Sequence, residues 1–137
     1  MALKLAGATT LLSVYDMPEA IRFYCGILGF AIVNSSPEID APEGRYFHWA
    51  WLRLGGVNLM LNTAYDAGER PKERDAARWS GHADTCLYID CSDVEGAYGY
   101  LTSKGLSLDR PRVAPYGMKQ LHVRDPDGYQ LCFQTPA

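Results

Sequence analysis

The side chains of this chain best suited to chemistry are His48, His82 and His122, the four cysteines Cys25, Cys86, Cys91 and Cys132, and, among the acids, Asp84. No two cysteines make a CxxC pair, so neither a zinc knuckle nor a thioredoxin-type motif is present. The four read as reduced, mostly buried thiols. Alternation along the strands puts Cys86, Cys132, Asp84 and His122 on one sheet face. There, Asp84 and His122 are the candidate general bases. A thiol nucleophile at Cys132 or Cys86 needs an activating base beside it, and the sequence shows none. His48 alternates with Ala50 and Leu52 toward the packed side, and His82 reads as a loop or strand-edge residue.

The elements that position these residues occur twice. Thr9 to Tyr15 reads as a strand that runs into a helix capped by Asp16, with Pro18 in the first turn and Glu19 three residues after the cap. Met17, Ala20, Ile21, Tyr24, Ile27 and Leu28 share its apolar face, and Gly29 stops it. Asp84 to Asp90 repeats the strand. Ser92 is the expected cap of a second helix carrying Val94, Ala97, Tyr98 and Leu101, which Gly105 ends. Val14 to Gly29 spans 15 residues and Ile89 to Gly105 spans 16, an offset of 75 to 76 between copies. After each helix the sequence predicts three more strands. In the first copy these are Phe30 to Asn34, Tyr46 to Leu54 and Val57 to Asn62, with Ser35 to Gly44 as a loop. In the second they are Leu106 to Leu108, Met118 to Arg124 and Tyr129 to Gln134, with Arg110 to Tyr116 as a loop and Asp125 to Gly128 as a tight turn. The fold class is α+β: paired βαβββ modules, about 5–62 and 82–135, in a single domain over 1–137. The polar connector Thr63 to Gly81 carries a short helical turn near Glu73 to Trp79.

Period-two alternation sorts the strand residues. Leu12, Val14, Leu59, Leu61, Leu87, Ile89, Leu121, Val123, Leu131 and Phe133 should lie under the helices. The opposite face carries Thr9, Leu11, Ser13, Trp49, Trp51, Asn58, Met60, Asn62, Asp84, Cys86, Tyr88, Gln120, His122, Gln130, Cys132 and Gln134. It mixes amides, hydroxyls, thiols and large aromatics, where a solvated face would hold Lys, Glu and Arg. Such a mixture suits a concave ligand surface.

Composition removes several classes of function. The chain has 137 residues and a net charge of −3, so it has no basic footprint for nucleic acid. No apolar run approaches the roughly 20 residues of a membrane span. Met1 to Gly7 has no signal-peptide pattern, which leaves a cytoplasmic setting as the expectation.

Ser13 to Tyr24 together with Leu28-Gly29-Phe30 resembles the opening of the glyoxalase/bleomycin-resistance/extradiol-dioxygenase superfamily, whose members are also called vicinal oxygen chelate proteins. Asp125-Pro126-Asp127-Gly128-Tyr129-Gln130-Leu131 resembles its closing hairpin, and the likeness covers Leu5 to Phe133. The resemblance implies sheets curled around a shared cleft, often within a homodimer. It also implies metal ligands, usually His and Glu, on the first and last strand of each module. Counting back seven residues from Asp16 gives Thr9. The other three positions fall on Met60, on Asp84 (five before Ile89) and on Cys132. Only Asp84 is a plausible ligand for a hard cation and Cys132 for a soft one, while Thr and Met are poor ligands for zinc, nickel, iron or manganese. The usual metal site therefore reads as vacated, and no metal and no cofactor is expected.

Two functions follow from the resemblance. The first is metal-independent binding of a small planar or aromatic molecule, with Trp49 and Trp51 as stacking surfaces. Asn58, Asn62, Gln130 and Gln134 would be its donors and acceptors and Asp84 its one negative charge, with Met60, Tyr88, His122 and Cys132 the rest of the lining. The second is a lyase, isomerase or ring-cleaving dioxygenase acting on a small carbonyl or aromatic substrate, using a metal or a base such as Asp84 or His122. The expected partners are a small molecule and a second copy of the chain. The tryptophans also suit the role of dimer anchors. The long connector permits a cleft within one chain or between two exchanged chains.

Overall fold

Asp16 closes the first strand and starts the first helix. In the computed structural model, which describes residues 2–137, its carboxylate accepts the backbone N–H of Glu19 at 3.1 Å. Strand β1 is Thr10–Val14, and helix α1 is Met17–Ile21 with Pro18 in its first turn. The helix continues as a π-helical segment, Arg22–Ile27, which periodicity does not reveal. The wider turn still sinks Phe23 and Tyr24 into the core. Gly29 takes φ 96°, a left-handed conformation that L side chains rarely adopt, and so ends the helix.

Strand β2 is Ala31–Ser35. The expected loop from Ser35 to Gly44 contains a small hairpin, β3 Ile39–Ala41 and β4 Gly44–Tyr46. Arg45 bridges Glu38 and Asp40 across its exposed side at 2.7 and 3.0 Å. The expected strand Tyr46 to Leu54 is therefore broken. It resumes as β5, Trp49–Leu54, and returns as β6, Val57–Thr63. His48 sits in the break with its Nδ1 2.8 Å from Thr63 Oγ1.

Helix α2 is Ala76–Gly81, later than expected because Asp75 caps it, accepting from the N–H groups of Ala77 and Arg78. A 3₁₀ turn, His82–Asp84, follows, and β7 begins only at Cys86 and runs to Asp90. Helix α3 is Val94–Ser103. Its cap is Asp93 rather than Ser92, accepting the Gly96 N–H at 2.8 Å. Leu106 to Leu108 forms no strand. The edge strand of this half is β8, Arg112–Val113, beside β9, Met118–Arg124, and β10, Gln130–Pro136.

Two separate four-stranded sheets result, ordered β1-β6-β5-β2 and β7-β10-β9-β8. In each, the first strand pairs in parallel with the last, and the other pairings are antiparallel. The alternation expected from sequence holds. Leu12, Val14, Leu59, Leu61, Ile89, Leu121, Val123 and Leu131 are buried in one apolar cluster that also takes in residues of α1 and α3, with Leu87 and Phe133 packed on its margin.

The Asp125–Gly128 turn ties the halves together. Asp125 Oδ1 accepts the N–H groups of Asp127 and Tyr129, both at 2.9 Å, while Tyr24 donates its hydroxyl to Oδ2 at 2.6 Å. Asp127 Oδ1 accepts the Tyr15 N–H at 2.7 Å and faces the guanidinium groups of Arg74 and Arg78. Arg78 also donates to the Ser13 carbonyl at 2.7 Å. Burial lifts the Asp125 carboxyl to about 6, with the Tyr24 hydrogen bond pulling the other way. Among the described residues no helix is long and apolar enough to cross a membrane.

Candidate functional site

The strand register shows which side chains of the face opposite the helices stand side by side. In the N-terminal sheet, Leu11, Met60 and Trp51 form one row, and Ser13, Asn62 and Trp49 the next. Asn58 lies opposite Arg53. In the C-terminal sheet, Tyr88, Cys132 and His122 form one row, and Cys86, Gln130 and Arg124 the next. Gln134 lies between Asp90 and Gln120. The face is partly open: Tyr88 is 58% exposed and Leu11 47%, while Trp49, Trp51, Met60 and the two asparagines are half-buried.

Several polar groups expected to meet a ligand are already engaged. Asn58 Oδ1 accepts both the Trp51 indole N–H and the Arg53 Nε–H, each at 3.0 Å. Its amide N–H groups are what remain for a ligand. Gln130 donates to the Ala83 carbonyl at 3.1 Å. Gln120 donates to Tyr116 Oη at 2.6 Å and to Gln134 Oε1 at 3.1 Å. Asn62 makes only a long bond, 3.3 Å, to the Thr63 carbonyl.

Arg53 is a site residue that reasoning from sequence missed. Its guanidinium lies 4.8 Å from the Trp51 ring centroid. The signal was present, because alternation that turns Trp51 onto this face also turns Arg53, two residues on. His82 is structural. Its Nδ1 lies 2.6 Å from the Asp127 carbonyl and its ring stacks on Tyr129 at 3.9 Å. His122 is exposed on β9, beside a groove of about 480 Å³.

Asp84 needs a correction. It sits exposed in the 3₁₀ turn before β7 rather than on a strand of the concave face. The caps Asp16 and Asp93 are 77 residues apart, two more than the offset of 75 that pairs Val14 with Ile89. Register locates the counterpart of Thr9. Met60 stands opposite Leu11, two residues after Thr9, and Cys132 stands opposite Tyr88, two residues after Cys86. Cys86 also precedes Asp93 by seven residues, as Thr9 precedes Asp16. On this register the resemblance carries the third position to Cys86 rather than Asp84.

A model of the Glyoxalase/Bleomycin resistance protein/Dioxygenase superfamily matches residues 8–133. The chain belongs to this superfamily. No curated protein matches it. Solved structures share the fold. TioX from Micromonospora sp. ML1 aligns with a TM-score of 0.72 at 19% identity, covering 96% of this chain and 99% of that one. The antibiotic-binding protein TnmS3 from Streptomyces sp. CB03234 aligns at 0.68 and 21% identity, covering 99% and 100%. A bleomycin-binding protein in complex with bleomycin aligns at 0.70 and 18% identity, covering 97% and 100%.

The resemblance to the superfamily's metal enzymes, carried over by strand register, implies ligand positions at Thr9, Met60, Cys86 and Cys132. A hydroxyl and a thioether are weak donors. Without a metal, burial pushes the Cys132 thiol up to about 11 and raises Cys86 as well, which favours the protonated form. Among the described residues no three His, Cys, Asp or Glu side chains converge. The set brings neither carboxylate nor imidazole, so it does not fit a hard divalent cation. The same protonated thiols are poor nucleophiles.

Proposed function

We propose that this superfamily member binds a small planar or aromatic molecule on its concave face without a metal. The observation that carries the reading is the pairing of half-buried Trp51 with Met60. An indole lies where a flat ligand can stack, next to a position usually held by a metal-ligating carboxylate. Trp49, Asn62, Tyr88, His122, Gln130 and Cys132 complete the proposed lining, and Asn58 orients Trp51. The antibiotic-binding neighbours share the fold and lend the reading support.

A homodimer is part of the proposal. Leu11 and Tyr88 are large, exposed and apolar on the face that must shield a ligand, and a second copy would cover them. Four free cysteines support a reducing, cytoplasmic setting. Glyoxalase chemistry needs a Lewis acid and a carboxylate base beside it, and Thr9, Met60, Cys86 and Cys132 suit neither role.

Elemental analysis of the purified protein, before and after addition of nickel, zinc, iron or manganese, tests the metal-free reading. The expected result is no stoichiometric metal and no activity gained. One tightly held metal per chain would overturn it.

A further inference from the structure

We infer that the ligand of the cleft carries a carboxylate, seated between Arg110 and Arg112. This rests on the proposed binding function and narrows its ligand class. The groove of about 480 Å³ at the C-terminal sheet is bounded by β8 and β9 and by the segment leading into β8. Its ionisable side chains are Asp109, Arg110, Arg112 and His122. His122 connects it to the concave face, since it stands opposite Cys132 in the β9–β10 ladder.

Two guanidinium groups against one carboxylate leave a single positive charge, which matches a monoanion. The internal pair offers little competition. Arg112 and Asp109 are 3.9 Å apart with side chains 83% and 93% exposed, and so open an ion pair contributes little. A guanidinium presents parallel N–H donors that fit a carboxylate bidentately. Gln120, on the groove wall, spends its amide donors on Tyr116 and Gln134, which leaves anion recognition to the arginines. In the other sheet, a third guanidinium, that of Arg53, lies over the Trp51 ring and pairs a cation with an aromatic surface.

The test is calorimetric titration of the intact protein with naphthoate and with naphthamide, which share shape and differ in charge. Naphthoate is expected to bind at least about tenfold tighter, with an advantage that shrinks as salt is raised. In the Arg110→Gln/Arg112→Gln double variant the ratio of the two affinities should fall to about one. Both arginines are exposed, and circular dichroism checks that the variant is folded. Equal binding of the two probes to the wild type would overturn the carboxylate inference and leave the aromatic-binding reading standing. A naphthoate preference that persists in the double variant would overturn the assigned position. Binding of neither probe would overturn both readings together.

Discussion

The Trp51 indole N–H donates to Asn58 Oδ1 at 3.0 Å, and the same oxygen takes the Nε–H of Arg53. One amide thereby holds the proposed aromatic surface and its neighbouring cation in a fixed arrangement. Pre-organisation of this kind adds affinity by removing the cost of ordering on binding. Replacing Asn58 by alanine should weaken binding of a planar ligand by about fivefold, roughly the net value of one hydrogen bond. Asn58→Asp keeps the acceptor and should retain most of the affinity for a neutral ligand. Fluorescence titration of the two variants makes the comparison. Equal affinity for wild type and Asn58→Ala would show that Trp51 needs no such support.

Cys132 is buried, and its thiol is pushed up to about 11. It should therefore resist iodoacetamide at neutral pH in the folded protein and react once the chain is denatured. Mass spectrometry of the labelled peptides reads this directly. Rapid labelling of Cys132 in the native state would reveal a thiolate and revive a nucleophilic role.

Asp125 gives the fold a pH dependence of definite sign. Its carboxyl is raised from the usual 3.8 to about 6, so the native state holds the proton more tightly than the unfolded chain. Its contribution to stability is fully present below the unfolded value and is lost as pH rises through about 6. The loss is on the order of 3 kcal/mol. Asp125→Asn should flatten that part of the stability curve between roughly pH 4 and 6. Urea denaturation at several pH values provides the measurement, and an identical slope in wild type and variant would contradict the assignment.

Gly128 should tolerate no side chain. Its φ is 87°, and a Cβ there would lie 2.3 Å from the Trp79 carbonyl oxygen. Gly128→Ala combines a left-handed conformation with a backbone clash, and a loss of about 2 kcal/mol or more in stability is expected. The connector is pressed onto the turn at this point, so the damage should also loosen residues 64–85. Hydrogen exchange would report it as faster exchange in α2. Unchanged stability would mean that Trp79 does not pack on the turn.

Much of this was legible from the residues. Period-two alternation placed Leu12, Leu59, Leu121 and Leu131 in the core, and Asp16 and Gly29 marked a helix by their own chemistry. Three features were hidden for physical reasons. The π-helical turn at Arg22–Ile27 keeps a helix-like pattern of apolar residues, so no local signal separates it from an α-helix. The third position that the resemblance implies was set at Asp84 because the count matched Ile89 to Val14, whereas strand pairing and the helix caps match Ile89 to Leu12, a shift of two residues that no local pattern reveals. The Asp125–Gly128 turn was readable as a turn. Its contacts with Tyr15, Tyr24, Arg74 and Arg78 are long-range, and no local pattern encodes them.

The central claim is that a planar ligand stacks on the concave face without a metal. Its most direct test is tryptophan-fluorescence titration with naphthoate of chelator-treated wild type and of Trp51→Ala, with calorimetry alongside because Trp49 and Trp79 also emit. Saturable quenching is expected in the metal-stripped wild type, with an affinity reduced at least about tenfold in Trp51→Ala. Binding that vanishes on chelation and returns with added metal, or equal affinity in the two proteins, would contradict it.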